Sequence, residues 1–162
     1  MKNLDKPDSW GRLPAPTLDA DTAERLAVAM PGTASFLERH EWIKHGTCFF
    51  GGDDGQTYFT QALRAIDAVN ASGVSQLFAT HVGADLRASD IRAAFDAAFG
   101  AGTGERVQVQ CAGDQGRVLI QEISISLRGK MTDGADLGEL IRAASPQSVG
   151  CDHGIVDPAG LQ

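Results

Sequence analysis

The chain has 162 residues, 43% of them apolar and 22% charged, which suits one globular domain and argues against wholesale disorder. Its net charge is −7 and it has no long lysine or arginine run, so the balance counts against a protein that holds nucleic acid mainly by neutralising phosphates. No stretch of 18 apolar residues exists, and no apolar run follows the two lysines of the first ten residues, so neither a membrane-spanning helix nor an export signal is expected.

Residues 1–18 carry three of the six prolines and no apolar periodicity, and read as an extended lead-in to a single domain over residues 19–162. Asp19 or Asp21 can cap a short helix over residues 22–30, stopped by Pro31-Gly32. Ser35 and Glu38 fit the capping-box pattern, which predicts a helix over residues 35–45 ended by Gly46. Residues 51–55 form a loop. Phe59, Leu63, Ile66 and Val69 recur at the helical period and predict a helix over residues 56–70, with a further short turn over residues 74–80. Ser89 caps a helix over residues 90–99 with Ile91, Phe95 and Phe99 on one face. The period then changes to two. Val107, Val109 and Cys111 alternate with polar residues, as do Leu119, Ile123, Ile125 and Leu127, with Gln121 out of phase. The turn-forming residues 112–116 make the two runs a hairpin with one buried face. Residues 137–144 allow one more short helix before a tail that ends in loop. Helices first, then an antiparallel hairpin, indicate an α+β fold.

The helix over residues 35–45 concentrates titratable groups. Taking His40 as zero at about 100° per residue, Lys44 lies near 40°, Glu41 near 100° and His45 near 140°, so all four share one broad face. Phe36 and Ile43 point the other way, toward a core. An ordinary solvated helix face, with Glu38, Glu41 and Lys44 paired, has the same pattern. A zinc site of the His-Glu-x-x-His kind needs its histidines four apart. His40 and His45 are five apart, diverging by about 140° on a regular helix, so no metal is expected. Without a metal, a histidine can take a proton from a hydroxyl, a lysine can hold charge on a crowded phosphate, and a carboxylate can orient its neighbours. That set fits cleavage of RNA by its own 2′-hydroxyl, with no cofactor.

The segment His40-Glu41-Trp42-Ile43-Lys44-His45-Gly46-Thr47-Cys48 resembles the second active-site segment of the ribonuclease T2 family, and Met30-Pro31-Gly32 and Leu37-Glu38-Arg39 before it resemble the bacterial, periplasmic branch. The run from Gln110-Cys111 to Ile125 is similar to the family's hairpin, so the resemblance extends from about residue 20 to the end. It implies the family's α+β fold and an RNA endonuclease giving 2′,3′-cyclic phosphates with low base specificity. RNA is then the partner, and neither DNA nor a membrane is. His45 is implied to be the base that deprotonates the 2′-hydroxyl, Glu41 and Lys44 to assist it, and His40 to contact substrate; Trp42 reads as packing. The family's location is periplasmic or secreted; a chain that truly starts at Met1 would be cytoplasmic.

The chain departs from the family in one respect. The family's other segment, His-Gly-Leu-Trp-Pro, carries the acid, and residues 1–39 contain no histidine at all. The expectation is a C-terminal portion of the fold, impaired in catalysis. A remnant that binds RNA or a protein partner without cleaving is the alternative, and an inhibitor-like or structural protein a third. His153, followed by Gly154 with Pro158 beyond, matches the absent segment too briefly to replace it, and His81 reads as a surface or packing residue. In the family the motif cysteine pairs with one in the N-terminal part. This leaves Cys48 without that partner and Cys111 and Cys151 to pair with each other; three buried free thiols are the other reading.

Overall fold

Pro7–Trp10 forms one helical turn, α1, with proline at its first position, where a missing N–H leaves no bond unmade. It lies inside the segment read as an extended lead-in. Helix α2 (Ala20–Ala29) starts at Asp19, whose carboxylate accepts from the Thr22 amide at 2.7 Å. A 3-10 turn over Pro31–Ser35 follows, and Phe36 adopts a left-handed conformation (φ 64°) before helix α3 (Leu37–Lys44). The expected capping box is therefore not made. Ser35 closes the 3-10 turn, and Phe36 occupies the cap position without a side-chain hydrogen bond. Nor does Phe36 anchor α3 in a core; it is 43% exposed, under the Arg39 guanidinium at 4.6 Å. Helix α4 (Gly55–Asn70) forms where the periodicity places it.

The computed structural model describes residues 6–49 and 54–158, so the expected loop over residues 51–55 lies outside the described residues up to residue 53. The chain divides into two compact units: Met1–Asp67 with Lys130–Asp133, and Ala68–Gly129 with Gly134–Gln162. In the first unit, Leu26, Phe59 and Leu63 are buried together, with Leu18, Met30, Trp42 and Tyr58 packed against them. Gln56 ties α2 to α4: its side chain accepts from the Asp19 amide at 2.9 Å and donates to the Thr22 hydroxyl at 2.7 Å.

The second unit holds α5 (Gly73–Thr80), β1 (Asp85–Arg87), α6 (Ala88–Phe99), β2 (Val107–Asp114), β3 (Arg117–Ile125), α7 (Leu137–Ala143) and β4 (His153–Ile155). Its four-stranded sheet has the order β1-β4-β3-β2; β1 is antiparallel to β4, β4 parallel to β3, and β3 antiparallel to β2. Leu86, Ile91, Phe95, Val107, Val109 and Ile141 are buried in this unit. The fold is α+β, as the order of elements indicates. Gln121 is explained by a bulge. Gln110 pairs with Glu122 but Cys111 pairs with Ile120, so Gln121 is the extra residue and Ile120 takes the place expected of Leu119. The hairpin turns on Gln115 and Gly116, both at positive φ, and its strands run further toward the turn than the alternation indicates. Leu127 lies beyond β3 and is 42% exposed. Ser89 does not cap α6, which begins one residue earlier. Cys111 and Cys151 form a disulfide, and Cys48 is free and exposed. Among the described residues no helix is long and apolar enough to cross a membrane.

Candidate active site

Four side chains of the motif are carried by eight residues of helix and the one that follows. His40 is buried, Glu41 half-buried, and Lys44 and His45 exposed. The helix stops at Lys44. His45 leaves the helical path (φ −118°, ψ −41°), and its amide still bonds to the Glu41 carbonyl at 2.9 Å. This departure matters for the chemistry. A regular helix would splay His40 and His45 apart, whereas here their rings stand edge to face with centroids 6.2 Å apart. His45 Nε2 lies 3.9 Å from Glu41 Oε2. The expected divergence of the two histidines therefore does not hold.

One ligand atom from each of His40, Glu41 and His45 lies within 4.8 Å of the others. The three groups could together hold a metal ion, a grouping that the spacing on a regular helix does not lead one to expect.

Gly46 explains the glycine of the motif in a way the helix-end reading does not. It is absent from the positive-φ residues and begins a 3-10 turn over Gly46–Cys48. A side chain there would strike the Trp42 indole, with a Cβ only 2.2 Å from Cε3. Trp42 in turn packs on Tyr58, ring centroids 5.9 Å apart, and on the buried Leu26, Phe59 and Leu63. It is a packing residue, as expected. The Thr47 hydroxyl donates to the Ile43 carbonyl at 3.1 Å and satisfies one of the open carbonyls at the end of α3.

Two residues near the site carried no signal in the sequence. The Trp10 indole lies over the His40 imidazole, with centroids 4.9 Å apart and planes tilted by 31°. Its segment is held to α3 by Arg39, which donates to the Gly11 and Leu13 carbonyls at 2.9 and 3.2 Å. Tyr58 stands near Glu41. Burial, and next the Glu41 charge, push its hydroxyl pKa above the ordinary value. Glu41 and Tyr58 also line a cleft of about 190 Å³, otherwise apolar, between α2 and α4. His81 and His153 belong to the other unit and have local partners there: His81 Nδ1 bonds the Leu77 carbonyl at 2.7 Å, and His153 Nδ1 bonds Asp85 at 2.6 Å.

The fold, the helix-borne His-Glu-Trp-x-Lys-His-Gly-Thr-Cys segment and the disulfide-tied hairpin define a class, and the comparison with known sequences agrees with it. The profile of the Ribonuclease T2 family matches residues 24–137, and the chain belongs to that family. It is similar to Ribonuclease I of Escherichia coli (strain K12), with 32% identity over 117 residues that cover 71% of this chain and 42% of that protein. The chain thus spans about two fifths of the length of the relative it matches.

Proposed function

We propose that this chain is an RNA endonuclease that works by transphosphorylation, without a metal or other cofactor, and leaves 2′,3′-cyclic phosphates with low base specificity. The observation that carries this reading is His45 at the end of α3, braced by Glu41 at 3.9 Å beside Lys44 and His40, in a member of the ribonuclease T2 family. His45 takes the proton of the 2′-hydroxyl. The freed oxygen attacks phosphorus, the bond to the 5′-oxygen breaks, and that oxygen must receive a proton. Lys44 holds charge on the phosphorane oxygens, Glu41 stabilises protonated His45, and His40 contacts the substrate. DNA, which lacks the nucleophile, is not a substrate. A net charge of −7 agrees with RNA gripped briefly at one site. The Cys111–Cys151 disulfide supports an oxidising compartment such as the periplasm.

The second reading is a chain that binds RNA or a protein partner without cleaving it. Incubating the purified chain with RNA and EDTA, beside His45→Ala, separates the two. Chelator-resistant cleavage with cyclic-phosphate ends, lost in the variant, is expected. A wild-type chain that binds RNA and leaves it intact would establish the second reading instead.

A further inference from the structure

We propose that His40, Glu41 and His45 form a binding site for a divalent cation of the zinc class, and that the bound cation stops RNA cleavage instead of assisting it. The site rests on geometry alone; the loss of cleavage rests on the reading of the chain as a ribonuclease.

One ligand atom of each residue lies within 4.8 Å of the other two, and among the described residues no other three histidine, cysteine or carboxylate side chains are grouped in this way. The grouping arises because His45 leaves the helix after Lys44, which brings its ring to 6.2 Å from that of His40. Metal bonds of about 2.1 Å draw the donors closer by roughly 1 Å. The His45 side chain is about half exposed and Glu41 is half-buried, so both can swing that far. His40 is the fixed member, 6% exposed with the Trp10 indole over its ring. A second observation points to a ligand. The His40 Nδ1 is buried and has no hydrogen-bond partner among the described residues. Such atoms are uncommon in folded proteins, and a place for an ion is one physical account of them.

The donors select the ion. Two imidazoles and one carboxylate suit zinc, nickel or copper, whereas magnesium and calcium take sets made of oxygen. The effect on cleavage follows from the same bond. A neutral imidazole has one nitrogen lone pair to offer. His45 needs it for the 2′ proton, and a cation bonded to the ring occupies it.

The test titrates zinc into the chain by calorimetry, in a Cys48→Ser background so that the exposed thiol does not contribute. One zinc per chain is expected. His45→Gln, at an exposed position, and Glu41→Gln are each expected to weaken binding by more than about tenfold, since even residues that only orient a ligand are worth that much. His40→Gln repeats the test at the buried position, with circular dichroism to show that it is folded. His153→Gln, whose histidine pairs with Asp85 in the other compact unit, is expected to change nothing. In parallel, zinc should halve RNA cleavage at the concentration that half fills the site, excess EDTA should restore it, and magnesium should have no such effect. No zinc bound at up to about 1 mM, or binding unchanged in both His45→Gln and folded His40→Gln, overturns the site. Zinc bound at these residues with cleavage undiminished or faster overturns the inhibitory role. A chain that binds zinc there and cleaves no RNA in EDTA overturns the ribonuclease reading and leaves the site standing.

Discussion

Replacing Gly46 by alanine tests whether the end of α3 is set by packing. The added Cβ would lie 2.2 Å from Trp42 Cε3 and 2.8 Å from Cζ3, where relaxed carbon contacts need about 3.5 Å. The indole must therefore retreat by more than about 1 Å, and it is backed by Tyr58 and the buried Leu26, Phe59 and Leu63. Overpacking of this kind costs about 1–3 kcal/mol. Alanine loses less backbone freedom on folding than glycine, which returns about 0.4–1 kcal/mol where the conformation is allowed. A net loss of about 1–2 kcal/mol is expected, or about 2–8 °C in Tm for a chain of this size. Thermal unfolding of Gly46→Ala, followed by tryptophan fluorescence, measures it. In the Trp42→Ala background the same replacement has nothing to strike and is expected to cost nothing further, so a double-mutant cycle isolates the clash. RNA cleavage by Gly46→Ala is expected to fall, because His45 directly precedes the displaced turn. A variant as stable as wild type, or an equal penalty with and without Trp42, would refute the packing account.

Tyr58 is the single tyrosine of the chain, so its ionisation can be followed by near-ultraviolet absorbance without interference. Its midpoint is expected above the ordinary value, chiefly from burial and next from Glu41; Glu41→Gln should lower the midpoint without abolishing the elevation, and an unmoved midpoint would separate the two residues. Asp19 is held below the usual carboxylate range, first by the Thr22 amide and then by the Thr22 hydroxyl and Gln56. The stability it contributes is therefore complete above the unfolded value near pH 4 and is lost as pH falls through the lower folded value. Asp19→Asn, which keeps a capping side chain, is expected to flatten that part of the acid unfolding profile. Cys111 and Cys151 close a loop of 40 residues, for which loop entropy predicts a contribution of about 4 kcal/mol. Replacing both by serine should lower the denaturant midpoint accordingly, and an unchanged midpoint would mean that the segment before β4 stays ordered in the unfolded chain.

Much of the local structure was legible before any coordinate. Asp19 caps α2, Phe59 and Leu63 face a core from α4, and the change from period 3.6 to period 2 marks the hairpin, because these features depend on residues a few positions apart. The motif from His40 to Cys48 was legible for the same reason. Other features depend on what lies across space. Gln121 looked like a break in the alternation until the register of β2 and β3 made it a bulge. Strands β1 and β4 have three residues each, too few to show a period, and exist because they pair with each other and with the hairpin. Trp10, thirty residues from His40 along the chain, lies on its ring because Arg39 holds the intervening backbone. The approach of His45 to His40 was hidden most completely. Their spacing on an ideal helix separates them, and only the end of α3 at Lys44 turns His45 back. The sequence by itself determined which groups are present on this helix; the tertiary structure decided that two of them face one another, because a helix end is set by the packing around Gly46 and Trp42 and not by the helical period.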